Sequence, residues 1–229
     1  REILNAHIEY NLLVDNLLPI IKMKKGVILL LIAILSTSVC FAQERRDNWR
    51  RPYTNIGFIS TTMSSSDMPD LMSNYGVSFS VGRTFYLHSK PMLGLARLGI
   101  DVTWFDVNYT NYQIMNMAYA ANSTSMYEQV ELGAQIGPSL TIRPFGRFHI
   151  HGYIKYAPTI SSLDIDGNIF GCYAPFIIQG AAVSVGNIGF GVENRSFKCK
   201  YQELGVKDNP EEIEPTTFEG WRAYITFVF

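Results

Sequence analysis

Beyond residue 42 the sequence has no continuous apolar run long enough to cross a bilayer as a helix, and no apolar period of 3.6 residues. Charge is also sparse: 17% of the 229 residues are charged and the formal net charge is −1. That near-balance removes the electrostatic case for a nucleic-acid partner. A chain that is 47% hydrophobic is too apolar for disorder and long enough for one domain. Cofactor signatures are missing as well. Gly186, Gly189 and Gly191 are not followed by a helix and so make no nucleotide loop. Asp164-Ile-Asp-Gly-Asn168 opens like a calcium loop, but position twelve of that pattern is Pro175 where a Glu is needed, which leaves a solvated turn and no metal.

What is present begins with an export signal. Met23-Lys24-Lys25 precede the single long apolar run, Gly26–Leu35, and small polar residues lead to Ala42-Gln43. A basic start, a short apolar core and a small residue at its end predict a signal peptide over 23–42, cleaved between Ala42 and Gln43. The run is short of the ~20 residues of a membrane helix. Cys40 would suit a lipoprotein, but Val39 before it is bulky. Residues 1–22 are expected to be an upstream extension outside the mature protein. Residues 1–42 carry four basic and three acidic side chains, so of 19 and 20 the mature chain keeps 15 and 17. It is expected to open with a polar periplasmic tail over 43–53 that holds four arginines.

From residue 54 onward, period-2 segments recur between Gly, Pro, Asn and Ser clusters. Eight are expected, near 54–62, 75–87, 95–109, 127–142, 148–160, 173–185, 188–201 and 218–229. In the third, Ala96, Leu98, Ile100, Val102 and Trp104 alternate with Arg97, Gly99, Asp101 and Thr103. In the fourth, Val130, Leu132, Ala134, Ile136, Leu140 and Ile142 alternate with Glu131, Gly133, Gln135, Ser139, Thr141 and Arg143. Several segments match the ~9–11 tilted residues of a membrane strand. Connections two-to-three, four-to-five and six-to-seven read as short, and the other four as roughly a dozen residues or more. Pro144-Phe145-Gly146 fits a three-residue hairpin loop, which would pair Thr141 with His149, Ser139 with His151 and Gln135 with Lys155. For strand six, a two-residue Gly186-Asn187 turn sends Gln179 outward, while a bulge near Pro175 or Gly180 would reverse its faces.

The last segment, Trp221–Phe229, puts Trp221, Ala223, Ile225, Phe227 and Phe229 on one face and Arg222, Tyr224, Thr226 and Val228 on the other. Together with the export signal, this resembles the small OmpA/OmpX-type bacterial outer-membrane barrels, over residues 54–229. The resemblance implies an all-β fold, an eight-stranded antiparallel up-and-down transmembrane β-barrel, with short periplasmic turns and both termini in the periplasm. It implies a location in the outer membrane, lipid and lipopolysaccharide as surroundings, and a monomer. It makes Ile225, Phe227 and Phe229 a C-terminal signal for the barrel-assembly machinery. The family includes adhesive, structural and enzymatic members, so it fixes no function.

An eight-stranded barrel has room only for side chains or one small ligand. Arg97, Asp101, Glu131, Arg143, His149, His151, Lys155, Glu193 and Arg195 are expected to fill the lumen as an ionic plug, a narrow ion path being the rival. The expected role is structural or recognition through outer loops such as 108–117, without catalysis. The competing reading is a lipid A deacylase-like enzyme using Ser139 with His151 as its base, against which Ser139 lies near the periplasmic turn and points inward. A secreted lipocalin-type barrel is disfavoured, because the polar faces hold Gly, Ser, Thr, Gln and paired charges in place of solvating Lys and Glu. Cys172 and Cys199 are a candidate disulfide, diagonal on adjacent strands in an oxidising compartment. Tyr109, Tyr112, Tyr127, Tyr173 and Tyr201 are expected in an aromatic girdle at the lipid interface. The sequons at Asn108, Asn122 and Asn194 carry no weight in a bacterial protein.

Overall fold

The computed structural model describes Trp49 and residues 52–66, 70–114, 127–204 and 212–229. The expected extension, the signal peptide with its Ala42-Gln43 junction, Asn122 and most of the 43–53 tail lie outside them. The described chain forms eight antiparallel strands: β1 (Pro52–Ser64), β2 (Leu71–Tyr86), β3 (Ala96–Ile114), β4 (Tyr127–Ile142), β5 (Phe148–Ile165), β6 (Asn168–Val185), β7 (Ile188–Glu203) and β8 (Glu212–Val228). Each strand pairs with its sequence neighbour, and β1 pairs with β8 to close the barrel. Both Pro52 and Phe229 lie at one end, the terminal end, where the Phe229 N–H donates to the Pro52 carbonyl.

Alternation sets the faces. On β8 Trp221, Ala223, Ile225 and Phe229 are exposed outward, while Arg222, Tyr224, Thr226 and Val228 are buried inside. On β4 Val130, Leu132, Ile136 and Leu140 are outward, and Glu131, Gln135, Ser139 and Thr141 inward. The exterior is therefore apolar and the interior polar, the reverse of a soluble barrel. Closure leaves no strand edge, so the ladder groups pair with one another in place of water. This is the construction of a bacterial outer-membrane barrel.

The strands run further than the sequence suggests. At ~3.3 Å per residue and a tilt of about 40°, the 19 residues of β3 rise roughly 45–50 Å, well beyond a ~25 Å apolar band. Lengthened strands absorb what reads as loop. The clearest correction is between β5 and β6, where a long connection is expected and a two-residue Asp166-Gly167 turn is found. Both residues have positive φ (52° and 93°), as a primed hairpin turn requires. The Gly167 N–H donates to Asp164 Oδ1 at 2.8 Å. At the terminal end β1 starts at Pro52, two residues early, and Trp49 is buried against the barrel, so the expected tail is not wholly solvated.

Three register details bear on the lumen. First, β3 contains a bulge at Trp104-Phe105: Thr103 pairs Gln135 but Asp106 pairs Gly133. Odd residues face inward before it and even residues after it, so Asp106, Asn108, Thr110 and Tyr112 are buried inside. Second, the β4–β5 ladder is two residues out from the expected one, with Thr141 opposite His151 and Ser139 opposite Tyr153. Pro144 has no N–H to pair, and the Arg143 N–H goes to the Leu95 carbonyl of the neighbouring turn. The chain therefore needs five residues, 143–147, to reverse, with Gly146 at φ 51°. A shift of two keeps each side chain on its face. Third, β6 and β7 pair without a shift from Val185 opposite Ile188 to Phe170 opposite Glu203. The two-residue turn prevails and Gln179 is exposed on the outward face.

That same unshifted register keeps Cys199 diagonal to Cys172, and the two are free thiols. The disulfide expected from the sequence is not formed, although the two thiols lie close enough to hydrogen-bond. Maleimide labelling of the unreduced, denatured mature chain is expected to count two reactive thiols; a count of zero would show that the pair closes into a disulfide.

Candidate functional site

The lumen is filled in three tiers. At the terminal end Trp49 lies in the mouth with the Arg97 guanidinium 4.5 Å and the Arg143 guanidinium 5.0 Å from its ring. Tyr86 and His149 meet it edge-on at 5.8 and 6.2 Å. Arg97 also donates to the Ser89 carbonyl at 2.6 Å. Arg97, Arg143 and His149 thus gather around one indole, cation over π-face, a contact that strengthens where water is excluded.

Above them the centre is ionic. Asp101 accepts from His151 Nε2 at 2.8 Å and stands 3.6 Å from Lys155 Nζ. The Lys155 ammonium also donates to Tyr53 Oη, Thr103 Oγ1 and Gln135 Oε1 at 3.2–3.3 Å. One step further, Arg222 Nη1 donates to Asp106 Oδ1 at 2.6 Å and Nη2 stands 2.5 Å from Glu193 Oε1. Arg195 reaches Glu131 at 3.0 Å, Asp106 at 3.8 Å and Glu193 at 3.9 Å. Tyr153 donates to Glu193 at 2.7 Å, and Asn108 to Glu131 at 3.0 Å. Side chains from β1, β3, β4, β5, β7 and β8 are joined in one network. Opposite charges this closely paired offset part of the cost of holding ions in a low-dielectric interior, although Glu193 Oε1 and Arg195 Nε and Nη2 make no hydrogen bond.

The third tier is mainly apolar. At the end opposite the termini Met63, Leu71, Tyr127, Leu163, Phe170 and Tyr201 are buried in an apolar cluster. Phe197 stacks on Phe218 with ring centres 4.2 Å apart and packs on Phe176 at 4.0 Å. Tyr112, Tyr127 and Tyr201 belong here, a correction to the expected girdle. The β3 bulge turns Tyr112 inward, and alternation does the same for Tyr127 and Tyr201. Tyr109 and Tyr173 do face outward, hydrogen-bonded to Tyr75 and Tyr156 at 3.5 and 3.0 Å.

Glycines make room for these rings. A Cβ on Gly191 would lie 2.2 Å from the Tyr224 ring, and one on Gly180 2.5 Å from that of Tyr153. Each tyrosine lies flat across the glycine of the next strand, and their hydroxyls meet at 2.8 Å.

Eight of the nine expected lumen residues are buried on the inner face, and Arg143, in the β4–β5 turn, is half-buried over Trp49 at the mouth. Sequence reasoning missed Asp106, which strict alternation sends outward, and left out Arg222, which it had placed on the inner face. It also missed Trp49. The Ser139–His151 pair does not form: Ser139 Oγ has no hydrogen-bond partner, and the hydroxyl on His151 Nδ1 is that of Thr141, at 2.9 Å. Thr141, His151 and Asp101 form a hydroxyl–imidazole–carboxylate chain, but all three are buried among Tyr86, Lys155 and the barrel wall. Among the described residues no group of three His, Cys, Asp or Glu could hold a metal ion.

No family model matches the chain, and no curated protein matches it either. Solved structures do. Neisserial surface protein A matches with TM-score 0.46 and 12% identity over 78% of this chain and 97% of its own. The outer membrane protease OmpT from Escherichia coli matches with TM-score 0.44 and 9% identity, over 78% and 97%. The attachment invasion locus protein Ail of Yersinia pestis matches with TM-score 0.40 and 8% identity, over 79% and 99%. At these identities the likeness assigns neither a partner nor an activity.

Proposed function

We propose that this protein is a plugged outer-membrane barrel that works through its outer surface: a rigid, non-catalytic scaffold presenting the end opposite its termini for recognition. The observation that carries this reading is the succession of buried inward side chains along the lumen, from Trp49 through the Asp106–Arg222–Glu193 bridge to Phe197 and Phe218. An even strand number puts both termini in the periplasm, so the opposite end faces outward. There the described ends of β1, β2, β3, β4, β7 and β8 offer recognition surface, while the Asp166-Gly167 turn holds β5 and β6 as a stiff hairpin. Catalysis is disfavoured because a nucleophile must meet substrate, and Thr141 and His151 are walled in. Planar-bilayer recording of the refolded protein is expected to give no single-channel steps; stable steps would replace the plug with an ion path.

A further inference from the structure

The terminal end is basic and apolar at once. Among the described residues its turns carry Lys90, Arg143 and Arg147 and no Asp or Glu, with Arg83 near the end of β2 beside them, whereas the other end carries Asp70, Glu128, Asp164, Asp166, Glu203, Glu212 and Glu219 against Lys198 and Lys200. The β2–β3 turn concentrates this character. An open cleft of about 310 Å³ is lined by Arg83, Phe85, Leu87, His88, Ser89 and Arg97. Arg83 lies on the outward face over the Phe85 ring at 5.6 Å. His88 shapes the wall, with Nδ1 donating to the Lys90 carbonyl at 2.6 Å and Nε2 accepting from the Leu98 N–H at 3.0 Å. At the tip Leu93 is 96% exposed with φ at 50°, a conformation that disfavours leucine. Leu87, Met92 and Leu95 beside it are exposed too.

We propose that this turn binds an anionic phospholipid of the periplasmic leaflet. The headgroup phosphate sits at the cleft against Arg83, with the exposed Lys90 of the same turn beside it, and the acyl chains lie on Phe85, Leu87 and Leu93. Charge complementarity selects the lipid: cations beside exposed apolar side chains match a molecule that carries a phosphate and hydrocarbon together. A strained, fully exposed leucine at the tip is explained by contact with that hydrocarbon. The site makes no use of what the outer loops recognise.

Native mass spectrometry of the full barrel in detergent, titrated with phosphatidylglycerol or phosphatidylcholine, tests it. Phosphatidylglycerol adducts are expected to form at least tenfold more tightly. The Arg83→Gln/Lys90→Gln pair is expected to lose about tenfold or more, since each cation contributes near an anionic surface. Leu93→Asn, which suits a positive φ and keeps the fold, is expected to weaken lipid binding while leaving heat-modifiability unchanged. Equal binding of the two lipids, or full binding by both variants, overturns the proposal. So does competition by glycerol phosphate as effective as that of the intact lipid, which would leave a site for free phosphate.

Discussion

Replacing Arg222 with methionine is expected to be the most damaging single change in the barrel, lowering stability by about 3–5 kcal/mol in urea unfolding from lipid vesicles. Arg222 alone stands within 2.6 Å of both Asp106 on β3, to which it donates, and Glu193 on β7, with which it forms an ion pair. Without it both carboxylates stay buried, and Arg195, 3.8 and 3.9 Å from them, is left as their nearest cation. The penalty lies in the stranded charges more than in the lost attraction. Adding Asp106→Asn and Glu193→Gln to Arg222→Met is therefore expected to restore much of the loss, since a buried ion set replaced as a whole can be near neutral. A triple variant no more stable than the single one would show that the guanidinium contributes through packing, and the ionic account of the lumen would fall.

The second large effect is expected from the smallest substitution, Gly191→Ala. Its Cβ would meet the Tyr224 ring at 2.2 Å, and the β7 backbone has no slack because Gly191 is paired on both sides, with Ala182 and Tyr224. Tyr224 must swing away, which breaks its hydroxyl contact to Tyr153 and disturbs the bond from Tyr153 to Glu193. Overpacking costs about 1–3 kcal/mol, and an uncoupled buried hydroxyl adds about 1–3 kcal/mol. Tyr224→Phe removes only the hydroxyl and should cost about 1 kcal/mol. The order of the two variants in thermal denaturation, followed by the gel shift of the folded form, is the check; a milder glycine variant would mean that the ring is free to move.

The parts of this fold written in the sequence are those governed by period 2 within one strand. Residues 96–104, 130–142 and 221–229 declare their faces because hydrocarbon outside and a packed lumen inside sort side chains so sharply. What the alternation hides is any place where its phase breaks. Trp104-Phe105 falls inside the segment expected at 95–109 and carries no bulge signal of its own, so the opposite phase of Asn108 and Thr110 goes unread, and the carboxylate of Asp106 is lost with it. Asp166-Gly167 is a hairpin signal in plain view, outweighed by the polar residues around it. The β4–β5 pairing depends on where the Arg143 N–H is spent, and its acceptor, Leu95, belongs to another turn. Trp49 is an aromatic among arginines in sequence, and only the closed barrel shows that those it stacks against are Arg97 and Arg143.

The β3 bulge has a consequence for how such proteins diverge. One extra residue there exchanges the inner and outer sets for the remainder of the strand, so a lineage can acquire a central counter-ion by inserting a codon, with no codon rewritten. Two descendants with the same interior chemistry would then fall out of step when compared position by position, and kinship between them would be easier to see in the pairing of strands than in the order of letters.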